Sequence, residues 1–382
     1  MPIEKAIYLD HNATTPVDPG VEKAMIRCME SFPGNPSSRY PSGVAALEEL
    51  EIQRSNVAGL IGCAPSEIVF TSGGTESNNT VIKGLVDFGR PRACHIITSA
   101  VEHPAVLNPA IFLAELGVGL SVVQVDESGR VDPEAVVNEI RPETVLISIM
   151  LANNETGALQ PIRDISRIAS EQGVPLHADA AQAVGKIPVD VNDLGVDFLT
   201  IAGHKLYAPK GVGALFVREG RRLTPLMHGA AQEGGRRAGT ESVLLATGLG
   251  EACRIARQRL GRDTPGTKDM RDHLQKLLFE GIEDLVLHGP LEERLPNTLF
   301  VSVPGIEGNR ILEGIPEIQA STGAACHDRS VSLSHVLAAM RVPPEVGMGA
   351  LRLTVGRTND MDQMEAAARL LIRRIRELRS GR

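Results

Sequence analysis

Apolar and polar residues form two kinds of pattern along the first two thirds of the chain. Segments whose apolar residues recur every three or four positions indicate amphipathic helices, and the short apolar runs between them are typical of buried strands. Helices are predicted at residues 20–31, 44–60, 75–86, 104–116, 133–140 and 162–172. Strands are predicted at residues 68–71, 95–98, 121–125, 145–150, 175–178, 198–201 and 214–217. This alternation predicts an α/β layer with a mostly parallel sheet, in which ligands gather at the carboxyl ends of the strands.

The pattern changes in the last third of the chain. A predicted helix at 243–260 is followed by Gly261, Pro265 and Gly266, which predict a pivot at 261–267. Beyond it, helices at 268–281, 332–340 and 361–378 mix with strands at 285–288, 297–303 and 350–354, which indicates a smaller α+β unit. The expected parts are an N-terminal segment that packs near the active site (1–15), a large domain (16–262) and a small C-terminal domain (263–382).

Composition narrows the classes of partner. The chain has 382 residues, of which 42% are hydrophobic and 23% charged, as in globular proteins. A net charge of −8 argues against nucleic acid as the main partner. No apolar run approaches the roughly 20 residues that span a bilayer. The start of the chain has neither a signal-peptide nor a transit-peptide pattern, so a cytoplasmic location is expected.

Five cysteines are scattered without a CxxC pair, which excludes a disulfide framework and a zinc-finger spacing. Four of them lie in helical or strand-like patterns and are expected to be structural. Cys326 differs, because small residues precede it and polar residues follow it in STGAACHD (321–328). This composition predicts an exposed, adaptable loop.

An acid and a lysine follow neighbouring strand predictions. HADAAQ (177–182) overlaps the end of one apolar run, and GHKLYAPKG (203–211) follows another. Pyridoxal 5′-phosphate (PLP) needs an amine that forms an imine with its aldehyde and a carboxylate that keeps its pyridine nitrogen protonated. Lys205 and Asp179 are therefore candidates for a PLP site, although a solvated lysine and a turn-capping aspartate are ordinary alternatives.

Two further segments suit the same cofactor. TSGGTE (71–76) lies between a predicted strand and helix, where backbone N–H groups and the helix N-terminus favour a phosphate. By itself Gly-Gly-Thr is also an ordinary helix cap. His103 is either a common loop histidine or a ring that stacks on the cofactor and moves protons.

These motifs resemble the cysteine desulfurases of the NifS/IscS type, in the class V group of fold-type I PLP enzymes. The resemblance runs nearly end to end. Its motifs occur in order as YLDHNATTPVDP, TSGGTESNN, the His103 segment, NNETG, HADAAQ, GHKLYAPKG, GRRAGTES, the Cys326 loop and LRLTVGR. It implies the α/β fold of type I PLP-dependent transferases, with a large mostly parallel sheet domain and a smaller α+β C-terminal domain.

The resemblance also implies a role for each matching residue. Lys205 bonds to the cofactor aldehyde, His103 stacks on the ring, and Asp179 pairs with the pyridine nitrogen. The other implied cofactor contacts are Gly74, Thr75, Asn154, Gln182, His204 and, from the second subunit of a homodimer, Thr240. The implied substrate contacts are Asn12, Asn154 and Arg352, whose planar guanidinium suits a carboxylate.

Cys326 is then the expected nucleophile. Its thiolate attacks the substrate sulfur, so that L-alanine leaves and a persulfide remains. His103 or Lys205 takes the proton of the substrate thiol. A mobile loop would let Cys326 visit the cofactor and then a sulfur acceptor, such as an iron–sulfur scaffold or a tRNA-thiolation protein. No metal is expected, and ligation of a transient iron–sulfur cluster by Cys326 stays an open alternative.

Two positions depart from the usual desulfurase pattern. Ala202 stands where a phosphate-binding serine is common, and the cysteine loop reads GAACH where many desulfurases read GSACT. With DVNDLGVDFLTIAGHK (190–205), both features lean towards the selenocysteine lyases of the same group, so L-selenocysteine is the alternative substrate. An aminotransferase of this fold is a second alternative, although it has no use for a reactive cysteine. A third is a silent scaffold that binds a sulfur carrier and is colourless when purified.

Overall fold

The computed structural model describes residues 6–327 and 330–381, with the backbone alone for 324–327 and 330–332. Its α-helices are α1 (Pro19–Ser31), α2 (Pro41–Ile61), α3 (Gly74–Gly84), α4 (Pro104–Glu115), α5 (Pro133–Asn138), α6 (Ile162–Glu171), α7 (Val191–Leu194), α8 (Val243–Gly281), α9 (Gly308–Glu313), α10 (His335–Ala339), α11 (Pro344–Gly347) and α12 (Met361–Arg379). Its strands are β1 (Ile7–Tyr8), β2 (Ile68–Thr71), β3 (His95–Ser99), β4 (Gly119–Val123), β5 (Thr144–Ser148), β6 (Leu176–Asp179), β7 (Phe198–Ala202), β8 (Gly213–Val217), β9 (Val286–Leu287), β10 (Thr298–Ser302), β11 (Ile318–Gln319), β12 (Ser321–Thr322), β13 (Ala324–His327), β14 (Ser330–Leu333) and β15 (Ala350–Thr354).

A seven-stranded sheet forms the centre of the larger part, in the order β2-β8-β7-β6-β5-β3-β4. β8 is antiparallel to both of its neighbours, and the pairs from β7 to β4 are parallel. β7 has the sequence FLTIA and is buried along its whole length, as expected of a strand covered by helices on both faces. The mostly parallel sheet predicted from the alternating pattern is confirmed.

The carboxyl ends of the parallel strands bring the predicted site residues together. Asp179 is the last residue of β6, and a 3-10 turn at Gly203–Lys205 directly follows β7. α3 begins at Gly74 shortly after β2, and His103 is the N-cap of α4 after β3. Parallel strands end at the same edge of a sheet. These residues therefore meet there, although they come from different parts of the chain.

A smaller antiparallel sheet, in the order β12-β15-β10-β9, lies in the C-terminal part. The N-terminal segment joins it through a bridge between Asp10 and Thr354, while β1 and β11 form a separate parallel pair. Ile7 and Leu9 are buried in the same apolar cluster as α12 and the second half of α8. Residues 1–5 of the predicted N-terminal segment lie outside the described residues.

The interruption of the helix predicted at 261–267 is wrong, because α8 continues through these residues. Pro265 removes one backbone donor, and the adjacent glycines weaken the helix. Tertiary contacts outweigh these local preferences: Asp263 accepts from Arg357 Nε at 2.6 Å, and α8 packs against α1, α2 and α12. The boundary expected at residue 262 therefore falls inside a helix. None of the described helices, α8 included, combines the length and apolar character that crossing a bilayer requires.

The Cys326 segment has the backbone of a hairpin, where the sequence predicted an irregular loop. β13 and β14 are antiparallel, and Cys326 is paired with Val331. The alternating sequence SVSL of β14 follows the period of a strand, so it replaces the start of the helix predicted at 332–340. Asp328 and Arg329, and the predicted exposure of the Cys326 side chain, lie outside what the structure describes.

The other four cysteines have free thiols, and three of them are buried. Burial raises the pKa of Cys63 to about 12 and also raises the pKa of Cys253. A thiol reacts as its thiolate, so a raised pKa makes these groups inert near neutral pH. The structural role predicted for these two cysteines agrees with this chemistry.

Candidate active site

A cavity of about 450 Å³ opens at the carboxyl edge of the large sheet. Its volume is in the range of small-molecule sites. Predicted residues in its wall are Asn12, Gly74, Thr75, His103, Asn154, Asp179, Gln182, His204, Lys205 and Arg352. Thr240 lies instead beside a separate cavity of about 200 Å³. Within the described residues, no group of three or more His, Cys, Asp or Glu side chains is arranged to hold a metal ion.

Lys205 projects from the turn after β7, and its amine is held at the cavity wall by two backbone carbonyls. Nζ donates to Asn12 O at 2.6 Å and to Ala13 O at 2.7 Å. Burial lowers the pKa of Lys205 to about 8, and the nearby Arg352 cation acts in the same direction. With that pKa, about a tenth of the amine is uncharged at pH 7, far more than for a solvated lysine.

Asp179 is buried at the end of β6 and has a fixed orientation. Its Oδ2 accepts from Asn78 Nδ2 at 2.7 Å, and its Oδ1 accepts from the Ala181 N–H at 2.9 Å. Asn78 was missed by the sequence analysis. Its spacing of four from Gly74 places both on one face of α3, which is the signal that would have found it. The Asn78 Oδ1 atom is buried and has no partner among the described residues.

His103 combines a capping role with a place in the cavity wall. Its Nδ1 accepts from the Ala105 N–H at 3.1 Å, which caps α4. The neutral ring therefore carries its proton on Nε2. Loss of hydration lowers the pKa of His103, and Lys205 adds to this effect while Asp179 opposes it. An uncharged ring is the form that can lie flat against another aromatic ring and exchange protons through Nε2.

Glu102, the residue before His103, is a fully buried carboxyl that sequence reasoning also missed. Its Oε1 accepts from Ser99 Oγ at 2.7 Å and from the Met150 N–H at 2.8 Å. Burial raises the pKa of Glu102 to about 8. Its backbone carbonyl accepts from His335 Nε2 at 2.9 Å, so α10 is tied to the loop that carries His103. No periodic pattern in the sequence signals such a group.

One end of the cavity suits an anion. The first backbone N–H groups of a helix have no acceptor within the helix, and α3 begins at Gly74 and Thr75 in the wall. His204 lies beside them and its Nδ1 is 3.2 Å from Thr14 Oγ1. Burial, reinforced by Lys205, lowers the pKa of His204 to about 4, so its ring is neutral near pH 7.

Asn12 connects three residues that are distant from it in sequence, Gln182, Asn154 and Thr298. Its backbone carbonyl accepts from Gln182 Nε2 at 2.9 Å. Its side-chain Nδ2 donates to Asn154 O at 3.2 Å and to Thr298 Oγ1 at 2.9 Å. Because both amide hydrogens are used in this way, the side chain that the sequence placed near the substrate holds the wall together.

Arg352, in β15, contributes a cation to the wall and is itself anchored. Its Nη2 donates to Asp10 Oδ1 at 3.0 Å and to Ser321 Oγ at 3.1 Å, and its Nη1 donates to Asn154 O at 3.2 Å. Its Nε is buried without a partner among the described residues. The cavity wall thus combines the side chains of Lys205 and Arg352 with the buried side chain of Asp179.

Comparisons with known proteins agree with this arrangement. Residues 7–366 match the family model described as Aminotransferase class-V. The chain belongs to the aminotransferase class-V family. Cysteine desulfurase IscS of Dictyoglomus turgidum is 42% identical over 380 residues, which cover 99% of this chain and 96% of that protein.

Two further comparisons give the same result. Cysteine desulfurase IscS of Methanosarcina thermophila is 42% identical over 378 residues, covering 98% of this chain and 93% of that protein. A solved structure described as a NifS-like protein has a TM-score of 0.90 at 35% identity, covering 97% of this chain and 99% of that chain. The family resemblance and the fold class predicted from the sequence are confirmed.

Proposed function

We propose that this protein is a PLP-dependent cysteine desulfurase, which converts L-cysteine to L-alanine and passes the sulfur on from Cys326. The observation that carries the proposal is the meeting of Lys205, Asp179 and His103 in one cavity of about 450 Å³. Two relatives named cysteine desulfurase IscS, each 42% identical over 98–99% of this chain, support that activity within the family. Nothing in the comparisons favours a selenocysteine lyase over it.

The chemistry of the donor set fits PLP. Asp179, fixed by Asn78, suits a protonated pyridine nitrogen, and the start of α3 at Gly74 and Thr75, together with neutral His204, suits the phosphate. Asn78 lines the same cavity, and its buried Oδ1 has no hydrogen-bond partner among the described residues. When bound, PLP supplies an electron sink at the substrate α-carbon.

Lys205 is the residue proposed to attach the cofactor and to move protons at the reacting carbon. Nucleophilic attack requires the uncharged amine, and a pKa of about 8 provides it near neutral pH. The carbonyls of Asn12 and Ala13 hold Nζ at the wall, so its position is set before the cofactor binds. His103 is proposed to lie against the cofactor ring and to exchange a proton through Nε2.

Arg352 is proposed to bind the carboxylate of the substrate. A guanidinium keeps its charge at any physiological pH and presents several N–H donors. Its present partners are Asp10, Ser321 and the carbonyl of Asn154, and its Nε hydrogen is not used by the described residues. These contacts orient the side chain in advance, which reduces the entropy that a substrate must remove on binding.

The sulfur transfer balances without an external oxidant or reductant. The bond from the substrate β-carbon to sulfur breaks, a sulfur–sulfur bond to Cys326 forms, and the β-carbon gains a proton. The two thiols thereby become one persulfide and the methyl group of L-alanine. The transfer of the outer sulfur from Cys326 to an acceptor protein is then a thiol-exchange reaction.

Several parts of the proposal rest on the sequence resemblance. These are a homodimer in which Thr240 contacts the cofactor of the second subunit, and an acceptor such as an iron–sulfur scaffold. The division into domains at 16–262 and 263–382, the substrate contact by Asn12, the ring-oxygen contacts by Gln182 and Asn154, and a cytoplasmic location also remain predictions.

The test is to supply purified protein with PLP and L-cysteine and to measure alanine and, with a reducing thiol present, sulfide. The wild type is expected to show visible cofactor absorbance and to form both products in equal amounts. Lys205→Ala is expected to lose both products. Cys326→Ala is expected to keep the absorbance and lose sulfide from L-cysteine. An exposed lysine variant, Lys268→Met, is the matched control and is expected to behave as the wild type.

Each alternative has its own signature when L-selenocysteine and a keto acid are also supplied. A wild type that turns over only L-selenocysteine would show that the lyase assignment is correct. Amino-group transfer to a keto acid without sulfide would indicate an aminotransferase, and a protein that stays colourless with PLP would indicate a silent scaffold.

A further inference from the structure

A second lysine, Lys186, lies behind the wall of the cavity. The sequence did not indicate a role for it. It belongs to the turn after β6, four residues beyond Gln182. Its Nζ donates to Gln182 Oε1 at 2.6 Å and to Asn12 Oδ1 at 3.0 Å. Both acceptors are amide oxygens of side chains that line the cavity. Lys186 therefore touches the site only through two other residues.

The surroundings of Lys186 disfavour a charge on it. On the cavity side its neighbours are the cations Lys205 and Arg352, and burial together with both cations lowers the pKa of Lys186 well below its ordinary value. Lys186 also lines a small inner cavity of about 20 Å³ with His11, Asp263 and Arg357. No described carboxylate lies within ion-pair distance of Nζ; Asp263 pairs with arginines.

An uncharged amine still donates hydrogen bonds. Here the hydrogen bond from Lys186 favours one orientation of the Gln182 side-chain amide. The Gln182 side chain has an oxygen on one side and an NH₂ group on the other. Because the oxygen takes a hydrogen from Lys186, the NH₂ group faces the opposite direction, where Nε2 donates to Asn12 O at 2.9 Å. Without Lys186 only the Asn12 carbonyl would hold this orientation, and the amide would turn its oxygen to the cavity more readily.

We propose that Lys186 is a positioning residue, whose hydrogen bond to the Gln182 oxygen keeps the NH₂ group of Gln182 directed at the ring oxygen of the cofactor. This inference rests on the proposed function, because that ring oxygen belongs to PLP. A donor from Gln182 stabilises negative charge on the oxygen, whereas a reversed amide would repel it. Lys186 thereby influences the charge on the ring oxygen of the cofactor without contacting the cofactor.

The experiment measures the pH at the midpoint of the visible absorbance change of the holoprotein. The variants are Lys186→Met, Gln182→Leu and the double variant, with the exposed Lys268→Met as control. Lys186→Met is expected to raise the midpoint by about one pH unit, a tenfold change in the proton equilibrium. Gln182→Leu is expected to raise it similarly, and the double variant is expected to show no further shift, as in residues that act through one another.

Two results would overturn the inference. An unchanged midpoint in Lys186→Met would show that Lys186 does not orient Gln182. A Lys186→Met shift that persists in full when Gln182 is already leucine would show that Lys186 acts as a charge through space. A wild type that never develops visible absorbance with PLP would instead contradict the proposed function.

A second variant tests the uncharged state and does not depend on the folding of Lys186→Met. Lys186→Arg places a permanent cation beside Lys205, and this charge is expected to lower the midpoint, because it disfavours a protonated neighbour. If the wild-type lysine already carries a charge, Lys186→Arg leaves the midpoint unchanged. Lys186 would then act on the cofactor as a charge through space, and the inference that it acts through Gln182 would be wrong. Far-UV circular dichroism and thermal unfolding of each variant show that the fold is retained.

Discussion

Replacing Glu102 by glutamine should stabilise the protein at alkaline pH and leave it nearly unchanged in acid. Glu102 is fully buried beside His103, and its Oε1 accepts from Ser99 Oγ and the Met150 N–H. Glutamine keeps a neutral acceptor at that place. Its NH₂ group takes the position of Oε2, which has no partner among the described residues. Glu102→Gln thus imitates the protonated acid at every pH.

The magnitude follows from the two pKa values of Glu102. Burial raises the pKa in the folded protein to about 8, from an ordinary value of 4.5. Ionisation therefore favours the unfolded chain, so stability is fully present below the ordinary pKa and is lost as the pH rises to the folded pKa. Each unit of difference corresponds to about 1.36 kcal/mol, which gives roughly 5 kcal/mol at pH above 8 as an upper bound.

The assay is urea unfolding of the wild type and Glu102→Gln between about pH 5 and pH 9. The difference in unfolding free energy should grow by about 1.4 kcal/mol per pH unit and level off above pH 8. Other titrating groups cancel, because both proteins contain them. The exposed Glu30→Gln is the control and should show no such slope. A difference that stays constant with pH would refute a raised pKa for Glu102.

Two further predictions concern charges. The rate at which the apoprotein develops visible absorbance on addition of PLP should rise with pH to a midpoint near 8, because the uncharged Lys205 amine reacts. Arg352→Met should move that midpoint upward, since it removes a cation that lowers the pKa of Lys205. An unmoved midpoint would show that Arg352 does not lower this pKa. Arg54→Met should cost about 3–5 kcal/mol in urea unfolding, because it leaves buried Glu233 without its two-bond partner. The matched exposed change, Arg163→Met, should cost about 1 kcal/mol or less.

The strand ends could be predicted because each follows a short, mostly apolar run. β2 of the large sheet and β15 of the smaller sheet have the predicted bounds, and β7 extends its prediction by one residue. Since parallel strands share an edge, the placement of Asp179 and Lys205 at two such ends was enough to predict that they meet. Here the local pattern and the tertiary structure agree.

The prediction of secondary structure from local sequence was wrong in two segments. Pro265 indicates a break, but the packing of α8 against three other helices keeps it helical. The hairpin of β13 and β14 was missed because small residues before Cys326 were interpreted as a loop signal. The alternating sequence of β14 was available, but a helix was expected from the residues that follow it.

The polar network behind the cavity could not be predicted from one sequence. Gln182 meets Asn12 across a separation of 170 residues, and Asn78 meets Asp179 across 101. No periodicity relates such pairs, since their contact depends on how whole elements pack. The same holds for Glu102 and Lys186, whose letters do not distinguish a buried group from a solvated one.

The contacts of Asn12 have a consequence for the timing of synthesis. Its backbone N–H donates to Thr354 Oγ1 across 342 residues, while its carbonyl holds the Lys205 amine. A ribosome delivers Asn12 long before Thr354. A chain that has not reached Thr354 therefore lacks the contacts that position the Lys205 amine, and capture of a reactive aldehyde waits until that residue has been made.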